Sequence, residues 1–463
     1  MSGSIGSGFR FCRYFLKQHV GRDPLKGRRG LADGSPGPGE WQRLQEERLR
    51  AMVRHAYENV PLYREKYERA GIDPGTIRTL DDLQKLPLVS KDDLKKGFPL
   101  AILSRRIDPK NCLTVSTSGS TGSPVRVFRD RRLFRLAPVP ILIGFLLSPR
   151  FLKRWAGSRL KRRMTIIAPR DEAYDVYLLY RQMRRLPHFL SSGLQYLDTA
   201  VDPGLLLDAL LGHRPDIVAA DPLILQNIVV AAGRLNRPLP TIALLVVGGT
   251  FSSAVARARL AKAFNGRVIE HYGAMEAGTI AFACPDCQGM HPLWTSVIVE
   301  TVRDGKPCAP GAAGEVVVTN LWNTVTPVIR YSGLGDTAVL EPGPCSCASP
   351  APRLTLLGGR QADALVLADG SLIHPFRLTL ALERIPRLDR FQIVQEAADR
   401  VRVRVVVDGA GETEVGAAVA RRLNAILGEA VTVLVETVDD IPRLKGTRTG
   451  QAPVHSLLKP PSV

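Results

Sequence analysis

The stretch Thr114-Val-Ser-Thr-Ser-Gly-Ser-Thr-Gly-Ser-Pro124 follows an apolar residue, Leu113, and leads into a β-like segment, Val125-Arg-Val-Phe128. Gly119 and Gly122 allow the backbone to turn tightly and to bring N–H groups close to an anion. Hydroxyls at Ser116, Thr117, Ser118, Ser120 and Thr121 are suited to donate to phosphate oxygens. The stretch is not the P-loop consensus, because no Gly-Lys-Ser/Thr closes it. Its composition alone fits an ordinary surface loop equally well, so its meaning depends on what surrounds it.

Outward from this loop, the chain reads as alternating strands and helices. Residues 41–70 carry apolar side chains at helical spacing, including Trp41, Leu44, Leu49, Met52, Val53 and Ala56. Ser90 is a suitable N-cap for the segment beginning Lys91-Asp-Asp-Leu. From about 100 to 340, short β-rich runs alternate with helical stretches. Ile217–Ala220, Ile242–Val247 and Arg267–Ile269 read as buried strands, and Leu223–Leu235 and Ser253–Phe264 as helices. Such alternation predicts βαβ units and a mostly parallel sheet. The pattern changes near residue 360. Leu365–Leu367, a helix near Phe376–Ile385, strands at Phe391–Gln395 and Val401–Val407, a helix at Glu412–Leu427 and a strand at Val431–Glu436 predict a small α+β domain. The expected organisation is an N-terminal extension (1–40) with a Gly/Pro-rich linker at 34–39, a large domain (41–359) and a C-terminal domain (360–463).

The bulk composition is that of a globular chain. Of 463 residues, 45% are hydrophobic and 23% charged, enough to build a sizeable core. No apolar run reaches the ~18 residues of a membrane span. The start lacks the apolar core of a secretory signal, which leaves a cytoplasmic location as the expectation. The net charge of +19 attracts anions of any kind: nucleotide or coenzyme A phosphates, an acidic carrier protein, an anionic membrane surface or nucleic acid. It also fits a merely solvated basic surface. No helix-turn-helix, zinc-finger array or RNA-binding signature accompanies it, which argues against nucleic acid.

Four of the seven cysteines form two tight pairs, Cys284-Pro-Asp-Cys287 and Cys345-Ser-Cys347, with His291 after the first. Two short chelating pairs suit a closed, structural zinc site; the alternative is four reduced thiols.

Five segments, in order, resemble the phenylacetate–coenzyme A ligase and capsule-biosynthesis (CapK-like) group of the adenylate-forming superfamily. The first is His55-Ala-Tyr-Glu-Asn-Val-Pro-Leu-Tyr-Arg64 with Leu80-Asp-Asp-Leu and Lys91-Asp-Asp-Leu. The second is Thr117-Ser-Gly-Ser-Thr-Gly-Ser-Pro124, similar to the group's nucleotide phosphate loop, with Ser123 where a lysine often stands. The third is His271-Tyr-Gly-Ala-Met-Glu-Ala-Gly278. The fourth is Ile329-Arg-Tyr-Ser-Gly-Leu-Gly-Asp336, and the fifth is Gly358-Gly-Arg-Gln-Ala-Asp363.

The resemblance implies an α/β fold: a large adenylate-forming domain of mixed and parallel sheets flanked by helices, with a small α+β lid. It implies ATP-dependent activation of a small-molecule carboxylic acid to an acyl-adenylate, with Mg2+, followed by transfer to coenzyme A or another acceptor. By position, Thr117, Ser118, Gly119, Ser120, Thr121 and Gly122 hold phosphate. Tyr272 packs on adenine with Gly273 beside it, Glu276 helps hold magnesium, Asp336 binds the ribose hydroxyls and Arg360 contacts ribose or phosphate. For zinc, it implies Cys284, His291, Cys345 and Cys347 as one ligand set; Cys284, Cys287, Cys345 and Cys347 remain the other. A homodimer stays open.

Two departures bear on activity. The segment Asp440-Ile-Pro-Arg-Leu-Lys-Gly-Thr-Arg-Thr-Gly-Gln451 resembles the tail that in the group ends in Gly-Lys, whose lysine serves adenylation. This chain has Gln451, and Lys445, six residues earlier, is the substitute within the segment. Thr250, in Gly248-Gly-Thr, stands where the group has glutamate. These changes keep a second function open, a weakened homologue that binds a nucleotide or acyl group as a partner protein.

Overall fold

The computed structural model describes residues 38–458 except 118–123, 132–162, 172–173, 186–190, 251, 285–288, 294–295, 344, 346–351, 361–364, 370–371, 374, 384, 408 and 442–453. The chain begins with helices α1 (Pro38–Asn59) and α2 (Pro61–Arg69), separated where Pro61 removes a backbone donor. A short α3 (Lys91–Gly97) starts at Ser90 with a full capping box: Ser90 Oγ accepts from the Asp93 N–H, and the Asp93 carboxylate accepts from the Ser90 N–H. Strands β1 (Cys112–Ser116) and β2 (Arg126–Asp130) pair as an antiparallel hairpin, a two-stranded sheet of their own. The hydroxyl-rich loop is its connection.

The main sheet has 12 strands. Its parallel half contains β3 (Met164–Ala168), β4 (Leu194–Asp198), β5 (Ile217–Ala220), β6 (Leu244–Gly248) and β7 (Arg267–Ala274), in the order β4-β3-β5-β6-β7. The chain passes through α4 (Asp175–Met183) between β3 and β4, α5 (Pro203–His213) before β5, α6 (Pro222–Arg234) before β6 and α7 (Ala254–Ala263) before β7. Leu207, Leu210, Leu225, Ile228 and Phe264 of this region bury fully with Val218, Leu245 and Val247 of the strands. Apolar burial of this kind drives the packing, at ~25 cal/mol per Å².

The other half is antiparallel. It contains β8 (Gly278–Ala283), β9 (Met290–Pro292), β10 (Val297–Arg303), β11 (Lys306–Pro307), β12 (Ala313–Asn320), β13 (Asp336–Glu341) and β14 (Arg353–Arg360), in the order β7-β8-β9-β14-β13-β12-β10-β11. The expected strand–helix alternation therefore stops at Ala263. From Arg267 to Arg360 the described residues hold strands and no helix, and the parallel sheet is only half of the whole.

A second core begins at Leu365. A two-residue pair, β15 (Leu365–Val366) and β16 (Leu372–Ile373), precedes α8 (Pro375–Glu383), β17 (Leu388–Ala397), β18 (Arg400–Val407), α9 (Glu412–Leu427), β19 (Thr432–Thr437) and β20 (Val454–Ser456). The sheet order is β19-β18-β17-β20. Along β18, Val401, Val403 and Val405 point into this core. The alternate residues are arginines, and Arg402 pairs with Glu396 and Glu436 across the neighbouring strands.

The two cores meet at polar contacts. Arg259 of α7 donates to the Leu388 carbonyl (3.1 Å). Arg390 of β17 donates to Asn227 of α6 (2.6 Å) and pairs with Asp440 (2.7 Å). No helix among the described residues is long and apolar enough to cross a membrane.

Candidate functional site

Strand β7 carries Tyr272 and Gly273 at its end, and the turn into β8 carries Glu276. The Tyr272 hydroxyl donates to Asp336 Oδ2 at 2.7 Å. Asp336 opens β13 and sits in register with Arg360 at the end of β14. Three of the sequence segments therefore converge, with Tyr272, Asp336 and the Arg360 backbone at one place. Glu276 is buried, and its Oε1 accepts from the Tyr331 hydroxyl at 2.8 Å. Tyr331 lies within the fourth segment, so a second tyrosine–carboxylate bond joins the same two segments.

Thr117 closes the neck of the hydroxyl-rich loop. Its N–H donates to the Val125 carbonyl and its Oγ1 accepts from the Val125 N–H, both at 2.9 Å. Ser118, Gly119, Ser120, Thr121 and Gly122 lie outside the described residues, as do Lys445, Gln451, Cys287 and Cys347. Below the neck, β2 is tied to the segment after β12. Thr326 Oγ1 accepts from the Phe128 N–H (3.1 Å), and Asn323 Nδ2 donates to the Phe128 carbonyl (3.2 Å).

Thr250 meets a carboxylate from the neighbouring strand end. Its Oγ1 donates to Asp221 Oδ2 at 2.5 Å, and Asp221 also caps α6 by accepting from the Leu223 N–H. Next to Thr250, Gly248 packs so closely on His271 that an added Cβ would lie 2.7 Å from the His271 carbonyl. Burial pushes the Asp221 carboxyl up to about 6, against hydrogen bonds that pull it down. Burial lowers His271 to about 4.

The two groups act on stability with opposite sign. Folded Asp221 holds its proton to higher pH than the unfolded chain does. Its favourable contribution is present below the ordinary carboxylate value and is lost as pH rises through about 6. Folded His271 resists protonation. Its contribution is present above the ordinary imidazole value and is lost as pH falls toward about 4. Each displacement corresponds to ~3 kcal/mol. In urea titrations across this window, Asp221→Asn is expected to steepen the rise of stability with pH, and His271→Asn to reverse it. Equal slopes in the two variants would refute the assignment.

Cys284, at the end of β8, and Cys345, between β13 and β14, bring their Sγ atoms to 3.5 Å. With His291 of β9, their ligand atoms all lie within 4.8 Å of one another. A tetrahedral zinc with ~2.3 Å bonds to sulfur spaces its thiolates roughly 3.8 Å apart, so the donors fit. His291 Nδ1 lies 3.2 Å from the Pro352 carbonyl. A carbonyl only accepts, so Nδ1 bears the proton and Nε2 keeps the lone pair that a metal needs. Cys284 and Cys345 belong to both ligand sets, and His291 joins them as the third described donor.

Sequence reasoning missed Arg129, Asp221, Asn320 and Tyr331. Tyr331 was inside a quoted segment, so its neighbours were the available signal. The others are single residues in unremarkable surroundings.

Residues 365–450 match the CapK C-terminal domain family. Phenylacetate-coenzyme A ligase of Escherichia coli (strain K12) is 24% identical over 437 residues, covering 88% of this chain and 93% of its own. The enzyme of that name from Thermus thermophilus is 25% identical, covering 76% and 77%. Among solved structures, 2-hydroxyisobutyryl-CoA ligase in the postadenylation state with 2-HIB-AMP aligns with a TM-score of 0.72 at 19% identity, over 91% of each chain. An open conformation of that ligase with 2-HIB-AMP and CoA gives 0.60 at 18% identity, over 88% of this chain and 90% of its own. The chain thus has the fold of the adenylate-forming CoA ligases, is similar along most of its length to phenylacetate–coenzyme A ligases, and over residues 365–450 matches the CapK C-terminal domain family.

Proposed function

We propose that the protein uses ATP to convert a carboxylic acid into an acyl-adenylate and then transfers the acyl group to coenzyme A. The observation that carries this reading is the 2.7 Å bond between Tyr272 and Asp336, which unites the aromatic and the carboxylate expected to flank adenosine. A carboxylate oxygen of the acid attacks the α-phosphorus, the bond to the bridging oxygen breaks, and pyrophosphate leaves. The thiol sulfur then attacks the acyl carbon, AMP departs with the bonding electrons, and the thiol proton passes to solvent. Thr117–Gly122 would cradle the phosphates. Asp336 would accept from both ribose hydroxyls, for which a carboxylate offers two acceptor oxygens and a negative charge. Glu276 offers a buried hard oxygen oriented by Tyr331, a fit for magnesium, which would neutralise phosphate charge. The protein's part is positioning and charge stabilisation. A structural zinc on Cys284, His291 and Cys345, with a fourth ligand from Cys347 or Cys287, belongs to this reading.

Pyrophosphate release on a panel of aryl, fatty and hydroxy acids, with and without coenzyme A, tests it. Release with no thioester formed would favour a non-CoA acceptor. Asp336→Ala is expected to weaken ATP binding by ~1–3 kcal/mol, the range for a charged hydrogen bond. Unchanged affinity by calorimetry would remove Asp336 from the site. Gln451 and Thr250 favour a second reading, a weakened enzyme serving as a nucleotide- or acyl-binding partner. ATP binding with no exchange on any acid selects it.

A further inference from the structure

Arg129 lies on β2, the strand that leaves the hydroxyl-rich loop, and is almost fully buried, at 2% exposure. Its Nη2 donates to the carbonyls of Met275 (2.7 Å) and Glu276 (3.3 Å). Its guanidinium carbon lies 5.0 Å from the centre of the Trp322 ring. Asn320 Nδ2 donates to the next carbonyl, Ala277, at 2.6 Å. Three successive carbonyls of the turn bearing Glu276 therefore receive buried side-chain donors. Asn320 Oδ1 accepts from the backbone of Trp322 and Asn323, and Asn323 returns to β2 through the Phe128 carbonyl. This circuit runs from β2 to the turn, to the end of β12 and back to β2. Gly278 leaves room for it: its φ is +77°, and an added Cβ would lie 3.3 Å from the Trp322 ring.

Burying a guanidinium is costly unless polar groups or a ring face replace its water. A neutral donor would satisfy the same two carbonyls, and an apolar residue would fill the same volume. Nη2 alone bridges two adjacent carbonyls while the guanidinium lies against the Trp322 ring, and these contacts together fix the orientation of the turn as well as its position. With all three carbonyls drawn inward, the backbone beneath the Glu276 side chain is immobilised from below.

We infer that Arg129 is a positioning residue that locks the Glu276 turn to β2 and so presents the Glu276 carboxylate to magnesium–ATP in a fixed orientation. The inference rests on the functional reading above and deepens it. Its test compares wild type, Arg129→Lys and Arg129→Met by melting, by amide hydrogen exchange of residues 274–279, and by calorimetry of ATP across magnesium concentrations. Arg129→Met is expected to speed exchange in the turn roughly tenfold. It should raise the magnesium concentration needed for half-maximal ATP binding about 10–100-fold, the range for residues that orient a metal ligand. Arg129→Lys should recover part of both. A folded Arg129→Met with unchanged exchange and unchanged magnesium dependence overturns the inference. If Arg129→Met does not fold, Trp322→Leu, which removes the ring and keeps the hydrogen bonds, should shift both readouts the same way by a smaller factor; no shift overturns it. A wild type that fails to bind magnesium–ATP defeats the functional reading. The exchange comparison then still decides whether Arg129 holds the turn.

Discussion

Replacing Gln451 by lysine is expected to raise pyrophosphate exchange by roughly two to three orders of magnitude with the correct acid. As carboxylate attacks the α-phosphorus, negative charge accumulates on the phosphate oxygens. An ammonium placed there stabilises that charge; a neutral amide offers only a hydrogen bond. Losing one strong transition-state contact costs ~2.7–4 kcal/mol, which sets the size of the expected gain. The competing assignment is Lys445, in the same Gly-containing stretch. If Lys445 has taken over, Lys445→Ala abolishes exchange and Gln451→Lys adds nothing. If neither substitution yields exchange on a broad acid panel, the nucleotide-binding partner becomes the better account.

Protein purified without chelator is expected to carry about one zinc per chain, and Cys345→Ser to lose it, because zinc requires a closed set of four donors. The ion would join the ends of β8, β9 and the β13–β14 connection, and so reinforce the seam between β9 and β14, which pair through a single residue couple, Leu354 and Met290. Free zinc at about a hundred times its Kd adds ~2.7 kcal/mol of stability, roughly 4 °C in melting temperature for a domain of this size. EDTA should remove that increment. Four freely titratable thiols, no zinc by elemental analysis and an unchanged melt in EDTA would together defeat the assignment.

Strands β5 and β6 of the parallel half are legible because they appear as unbroken apolar runs, Ile217-Val-Ala-Ala220 and Leu244-Leu-Val-Val247, whereas β3 and β4 are not singled out by the sequence. The antiparallel half is not legible either. Its strands mix polar and apolar residues, as in Asp336-Thr-Ala-Val-Leu-Glu341, and such short runs do not separate from loops by pattern alone. The cap at Ser90 is local chemistry and is visible as such. The site divides the same way. Tyr272, Glu276 and Asp336 sit in contiguous segments with a recognisable order. Arg129 and Asn320 act only because β2 and the end of β12 fold beneath the same turn, 146 and 43 residues away from their partners Met275 and Ala277 in sequence. Asp221 reads as a helix cap, and its meeting with Thr250 across 29 residues depends on two adjacent parallel strands ending together.

The segment holding Lys445 and Gln451 is no free end of the chain. Asp440 is bound by Arg390, and Val454 pairs with Ile393, so both margins of residues 441–453 are fastened to one strand, β17, three residues apart. Gln451 stands three residues from Val454, so covalent geometry limits its separation to about 10–11 Å. A side chain on such a closed tether is delivered wherever β17 goes, at an effective concentration set by the span rather than by diffusion. Position 451 is therefore tied through the chain to β17, the strand whose Arg390 donates to Asn227 of α6.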